Sequence, residues 1–234
     1  MDYIDDLVAS YRILAEYGVI DAYGHVSLRS PDNPNRYFLA RSLAPERVQP
    51  EDILEYDLDS NPVDAQGRES VRERFIHGEI YRARPDVMSV VHNHSPSVIP
   101  FGVTRSKLKP IYHMASFLWS GVGHFEIRDT RPDNDLLIRD IPLGKALAHS
   151  LGKCTCVLMR GHGMTVVGDC VAEAVFRAIY TEMNARLQIQ AGQLEGPIAF
   201  LSDEEGKRST GTNRSTLERP WELWKKAATA RGRS

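Results

Sequence analysis

His92 and His94 stand one residue apart at the end of the apolar run "VVHNHSPS", residues 90 to 97. In an extended strand, residues i and i+2 share a face, so the two imidazoles point one way and Asn93 the other. Two neutral imidazoles on a rigid strand can grip a divalent metal; two separately hydrogen-bonded core histidines would give the same H-x-H pattern. His162 lies between glycines in "MRGHGM". There the backbone can turn sharply and carry the ring close to another surface, although a turn histidine without a role has the same surroundings. Glu73 and His77 are four residues apart and share a face of an expected helix, as an exposed Glu–His pair also would. Taken together, His92, His94 and His162 offer three nitrogen donors and Glu73 a carboxylate, a set suited to zinc, manganese or cobalt.

These residues must be positioned by elements that periodicity and punctuation reveal. Ile4, Leu7, Val8, Tyr11, Leu14 and Ala15 recur at helical spacing, which predicts an amphipathic opening helix stopped by Gly18. "HVSLRS" and "RYFLAR" read as short strands separated by the turn "PDNPN", and "DILEYDLDSNPVD" as a strand closing in a turn. Residues 71 to 83 read as a helix ended before Pro85. The following "DVMSVVHNH" is a buried strand, with Ser95 and Pro96 opening a helix as N-cap and first residue. Residues 143 to 151 are helical, and "CTCVLMRGHGMTVVG" is two strands around a Gly-His-Gly corner. Asp169 can cap a helix from about 170 to 191 that ends at Gly192. Ser202 and Glu205 have the spacing of a capping box ahead of a Trp-rich helix around Trp221 and Trp224. Helices and strands mix along the whole length, which predicts an α/β fold in one domain, residues 1–234.

Composition excludes several classes. The chain has 234 residues, 42% hydrophobic and 26% charged, as in ordinary soluble domains. A net charge of −2 gives no bulk electrostatic reason to bind nucleic acid or an anionic membrane, although a short basic run, "KKAATARGRS", closes the chain. No leader pattern and no apolar run near 18 residues appears, which predicts a cytoplasmic protein. Three cysteines argue against a disulfide framework, and Cys154 and Cys156 read as packing residues.

The stretch "ERFIHGEIYRARPDVMSVVHNHSPSV", followed by "VLMRGHGMTVVGDCVAEAV", resembles the class II aldolase/adducin family. The ordered set E-x-x-x-H, H-x-H and H-G carries the resemblance, which runs from the opening helix to about residue 191. It implies a three-layer α/β/α domain around a mixed, largely antiparallel sheet. It also implies one divalent metal ion per subunit on His92, His94 and His162, with Glu73 as a further ligand or as general acid/base. His77 falls on a family position too and supports the site. A homotetramer with active sites between subunits is a further implication, and the large apolar residues Trp221, Leu223 and Trp224 would need cover.

Departures from the family pattern bear on the substrate. Sugar-phosphate members cradle phosphate with small segments, where this chain has "GHVS", "ARSLA" and "SVRE". His25, Leu43 and Arg72 replace the small or amide residues, and a phosphate nest needs exposed backbone N–H groups that bulky Leu43 would cover. Arg41 and Arg72 flank the same place, and an arginine fork suits a carboxylate, though both could be solvated surface residues. His25, Arg41, Ser42, Arg72 and Tyr112 are the expected substrate contacts. The stretch "KPIYHMASFLWSGV" resembles the decarboxylase-type branch, which acts on hydroxylated aromatic or heteroaromatic acids such as 3-hydroxy-2-methylpyridine-4,5-dicarboxylate of vitamin B6 breakdown. A ring carboxylate ortho to a hydroxyl is a masked β-keto acid, so its loss needs a Lewis acid on the ring oxygen and a proton for the ring carbon. Glu73 is the first candidate donor, strand-borne His113 the second and Tyr112 the third. Alternatives are an aldolase or epimerase on a small hydroxy-carbonyl compound and a non-catalytic adducin-like scaffold.

Overall fold

Val90 and Val91 are neighbours in one strand yet enter different apolar cores, and so do Val167 and Val166. This period-two alternation is what a sheet covered on both faces requires. The computed structural model, which describes residues 3–231, builds it as follows. Helix α1 (Tyr3–Glu16) leads into β1 (His25–Arg29), β2 (Arg36–Ala40) and β3 (Ile53–Asp57). A 3-10 turn (Arg72–Arg74) precedes α2 (Phe75–Ala83), β4 (Ser89–Asn93) and the short α3 (Ile99–Val103). After a 3-10 helix (His113–Ser120) come β5 (Gly123–Phe125), α4 (Ile141–Leu151), β6 (Cys156–Met159) and β7 (Gly163–Gly168). Helices α5 (Val171–Ala191), α6 (Asp203–Ser215) and α7 (Glu218–Arg231) complete the fold.

The seven strands lie in the order β3-β2-β1-β4-β7-β6-β5. Every neighbouring pair is antiparallel except β5 with β6. One face packs on α1 and α5 through Leu7, Leu14, Val175 and Ile179, the other on α2 and α4 through Ile76, Ile80, Leu143 and Leu147. The arrangement is the expected mixed, largely antiparallel sheet between helical layers. Asp140 starts α4 by accepting from the Leu143 N–H, and Ser202 and Glu205 form the expected capping box on α6.

Four local expectations shift. Glu73 lies in the 3-10 turn before α2 with φ −90° and ψ 21°, outside helical geometry, so it and His77 do not share a helix face. The helix after β4 starts at Ile99, because the Asn93 side chain takes the Ser95 N–H and holds residues 95–98 in a turn. Cys170, not Asp169, is the N-cap of α5; the Asp169 N–H instead donates to Glu173. Trp224 is covered within the chain, against Tyr17 and Tyr180, whereas Leu223 is 67% exposed. The basic run at the C-terminus continues α7 as far as Arg231, and residues 232–234 lie outside the described residues.

Candidate metal centre

The β4–β7 register brings the histidines together. Asn93 pairs with Met164, so continuing the ladder sets Gly163 across from His94 and His162 one step beyond. The corner between β6 and β7 is tight: the His162 N–H donates to the Met159 carbonyl, and Gly161 holds φ +65°. Gly163 is required by close approach, since a Cβ there would stand 2.0 Å from the Asn93 carbonyl oxygen. His94 Nε2 consequently lies 3.0 Å from His162 Nε2 and 3.3 Å from His92 Nε2.

Glu73 closes the group. Its Oε1 accepts from the Ile138 N–H at 2.9 Å, while Oε2 lies 3.5 Å from His162 Nε2 and 3.7 Å from His92 Nε2. One ligand atom from each of Glu73, His92, His94 and His162 falls within 4.8 Å of the others.

The surroundings fix which nitrogens carry hydrogen. His162 Nδ1 faces the Leu136 carbonyl at 2.9 Å, so it must be the N–H, and Nε2 presents a lone pair. His92 Nδ1 lies 3.3 Å from the Thr165 hydroxyl, a contact that holds the ring with Nε2 toward the group. Lone pairs aimed at one point beside a carboxylate are what a divalent cation takes up, and the donor set fits one. Burial, then the neighbouring imidazoles, pushes the His92 pKa well below its ordinary value. His94 is lowered by burial and by His162. Burial also works against protonating His162, but the hydrogen bond and charge of Glu73 and the Leu136 carbonyl outweigh it and raise its pKa.

The loop Asn134–Ile138 thus serves both Glu73, through the Ile138 N–H, and His162, through the Leu136 carbonyl. Leu136 pays for this aim with φ +70°, a left-handed conformation that costs a bulky residue on the order of 1–3 kcal/mol. Main-chain groups carry no sequence signature, so neither contact is visible beforehand. Nor is Thr165.

A cavity of about 570 Å³ opens onto the group, large enough for a small-molecule ligand. His25, Ser42, Leu43, Arg72, Glu73 and His94 are in its wall. Arg72 is exposed and has no ion-pair partner among the described residues. Arg41 is turned elsewhere: its Nε bonds Asp52 at 2.6 Å, and it is not part of the wall. His77 is fully buried behind His25, its Nε2 2.6 Å from His25 Nδ1.

His113 and Tyr112 are not brought to this cavity within the chain. His113 opens a 3-10 helix instead of riding on a strand, and it is exposed, its carbonyl accepting from Asn213. Tyr112 packs beside Tyr180, and its hydroxyl has no hydrogen-bond partner among the described residues. The segment "PIYHMASF" lacks the alternation that would keep a strand in the sheet.

Residues 5–189 match the family described as Class II Aldolase and Adducin N-terminal domain. The chain is 37% identical to Decarboxylase tropJ of Talaromyces stipitatus over 93% of its length and 90% of that protein. It is 32% identical to 3,4-dihydroxyphthalate decarboxylase of Arthrobacter keyseri, covering 83% of this chain and 80% of that protein. Among solved structures, an aldolase II superfamily protein from Pseudomonas syringae superposes with a TM-score of 0.81 at 21% identity, over 99% of this chain and 93% of that one.

Proposed function

Because the chain belongs to the class II aldolase and adducin family, we propose that it is a divalent-metal-dependent lyase that decarboxylates a hydroxylated aromatic or heteroaromatic dicarboxylate. The observation that carries this reading is the Glu73/His92/His94/His162 group beside a cavity whose wall holds Arg72, a cation with no ion-pair partner among the described residues. Two relatives with decarboxylase names support the reaction type.

His92, His94 and His162 would hold the ion, with Glu73 as a fourth ligand or as the proton donor. A bound Mn²⁺, Zn²⁺ or Co²⁺ would supply Lewis acidity to a substrate oxygen. Arg72 pairs with the substrate carboxylate that is kept, where its planar fork can bind both oxygens. Leu43 lines the wall with apolar surface, which suits a ring better than a phosphate. Ser42 is a further polar contact on that wall. As the bond from the ring carbon to CO2 breaks, its electron pair stays on the ring carbon and a proton must arrive there. Glu73 Oε2 would carry it, since Oε1 is spoken for by the Ile138 N–H.

His113 and Tyr112 can act only in a neighbouring protomer's cavity, which a homotetramer with interfacial sites would allow. No helix among the described residues is long and apolar enough to cross a membrane.

A ring with adjacent carboxylates and a hydroxyl ortho to one of them is common to 3-hydroxy-2-methylpyridine-4,5-dicarboxylate and 3,4-dihydroxyphthalate. Incubating metal-loaded protein with each acid and measuring CO2 tests the proposal. Release from at least one, abolished by chelation, is expected; no release from either, with aldol cleavage of a hydroxy-carbonyl compound instead, would overturn it.

A further inference from the structure

A continuous line of side chains runs from the interior to the cavity. Tyr81 Oη lies 2.7 Å from Ser27 Oγ, Ser27 Oγ lies 2.6 Å from His77 Nδ1, and His77 Nε2 lies 2.6 Å from His25 Nδ1. Tyr81 is 1% exposed, Ser27 and His77 not at all, and His25 6%. No water can enter this line to repair a wrong hydrogen, so each bond has one donor and one acceptor that must be assigned together.

The assignment starts at Tyr81. Its hydroxyl has one hydrogen and, among the described residues, one side-chain partner, Ser27. The Val90 main chain also bonds this hydroxyl and favours its anionic form, as a donor to the oxygen does, so the only acceptor left for the Tyr81 hydrogen is Ser27 Oγ. Tyr81 therefore donates to Ser27. Ser27 Oγ then has its single hydrogen free for His77 Nδ1, which must be a lone pair. A neutral His77 then carries hydrogen on Nε2 and donates it to His25 Nδ1. A neutral His25 has only Nε2 left for its own hydrogen.

We infer that Tyr81, Ser27 and His77 form a one-way chain of donors that locks His25 as a neutral imidazole with hydrogen on Nε2, a fixed donor to an anionic oxygen of the ligand in the cavity. His25 is part of the cavity wall and His77 is not, so the edge of the ring opposite Nδ1 is the one that faces the ligand. His25 pairs in register with His92, and the two rings lie 4.9 Å apart, which puts this donor directly beside the metal group. A locked donor binds a carboxylate or phenolate oxygen without reorganising, and it cannot serve as a base or as a fourth nitrogen ligand. Two N–H groups cannot face each other at 2.6 Å, so with His77 Nε2 donating, His25 Nδ1 carries no hydrogen. The ligand class rests on the function proposed above; the donor assignment does not.

Neutron diffraction from perdeuterated, metal-free protein decides the assignment. Deuterium on His25 Nε2 and His77 Nε2, and none on His25 Nδ1, is expected; deuterium on His25 Nδ1 overturns it. Calorimetry with phthalate, a dianion without the hydroxyl, on the zinc-loaded protein tests what His25 donates to. His25→Leu, which removes the donor, should weaken phthalate roughly tenfold or more, as for a lost hydrogen bond to a charged group, and His25→Gln, which keeps an N–H, should recover most of it. Unchanged phthalate binding by folded His25→Leu, or no binding by the unaltered protein, would overturn the ligand. If phthalate binds as expected but no hydroxy-acid is decarboxylated, the decarboxylase reading fails and this one stands.

Discussion

His94 Nε2 and His162 Nε2 stand 3.0 Å apart although 68 residues separate them in the chain. The Leu136 carbonyl has already claimed the hydrogen on His162 Nδ1, so this close pair needs either a shared proton or a cation. His162→Ala removes one donor of the group without emptying an apolar core. Purified protein is expected to carry about one divalent ion per chain, and the variant to lose it on dialysis. Metal analysis of both reads the outcome, and full retention by the variant would remove His162 from the ligand set.

Arg72 and Arg41 should part company. A partly desolvated arginine–carboxylate pair typically loses about 2–5 kcal/mol when one partner is truncated. At about 1.4 kcal/mol per tenfold, Arg72→Ala should lower catalytic efficiency on the dicarboxylate roughly thirtyfold or more. Metal content should not change, and a mono-carboxylate analogue should suffer far less. Arg41 is occupied by Asp52, so Arg41→Ala is expected to cost at most about 1 kcal/mol of stability and little activity. Steady-state kinetics on both variants settles the contrast; equal losses would put Arg41 back at the substrate.

Why these two arginines differ could not be read from their spacing. Each lies in a segment that borders the same pocket by resemblance, and only the chain's path past Asp52 tells which fork is free. His77 is similar: four residues from Glu73, it reads as sharing a helix face with that residue in support of the site, yet the turn at Glu73 breaks the shared face and His77 is fully buried. Local pattern suffices where it coincides with tertiary demand. H-x-H on a strand end, glycines on both sides of His162 and the alternating valines each state a constraint that one segment satisfies alone. His113 and Trp224 depend on what packs against them, which no local pattern encodes.

The buried histidines should make the metal-free protein acid-labile. Burial lowers His77 from 6.5 to about 3. Below pH 6.5 the unfolded chain binds a proton that folded His77 refuses, so stability is full above 6.5 and falls as pH drops toward 3. From His77 alone the loss at pH 5 is about 2 kcal/mol, at 1.36 kcal/mol per unit. Urea titrations at pH 7 and pH 5 measure it, and His77→Gln should flatten the difference by that amount.

Shared sites make a prediction about mixtures. His92→Ala is expected to be nearly inactive alone and His113→Ala impaired. If His113 works in a neighbour's cavity, co-refolded mixtures regain activity, because some sites combine an intact metal group with an intact His113. Sedimentation of the unaltered protein should give a closed oligomer at micromolar concentration. A monomer, or mixtures without recovery, would confine catalysis to the residues of one cavity.

Gly163 gives the sharpest test of how the metal group is assembled. An added Cβ would meet the Asn93 carbonyl oxygen at 2.0 Å and the His94 Cα at 3.0 Å. Both obstacles are main chain of the strand that carries the histidines, so no side-chain rotation relieves them. Gly163→Ala must push β7 away from the end of β4, and His162, the preceding residue, moves with it. Overpacking of this kind costs typically about 1–3 kcal/mol, which the domain can survive. The metal group should survive less well, because ligand distances tolerate only about 0.2 Å of error. Zinc affinity measured against a competing chelator is expected to fall tenfold or more while the far-ultraviolet circular dichroism stays intact. Gly211→Ala is the control: in α6 nothing lies within 4 Å of the new methyl, and alanine in a helix should add up to about 1 kcal/mol of stability with metal affinity unchanged. Native zinc affinity in Gly163→Ala would mean that the β4–β7 approach does not set the His94–His162 distance.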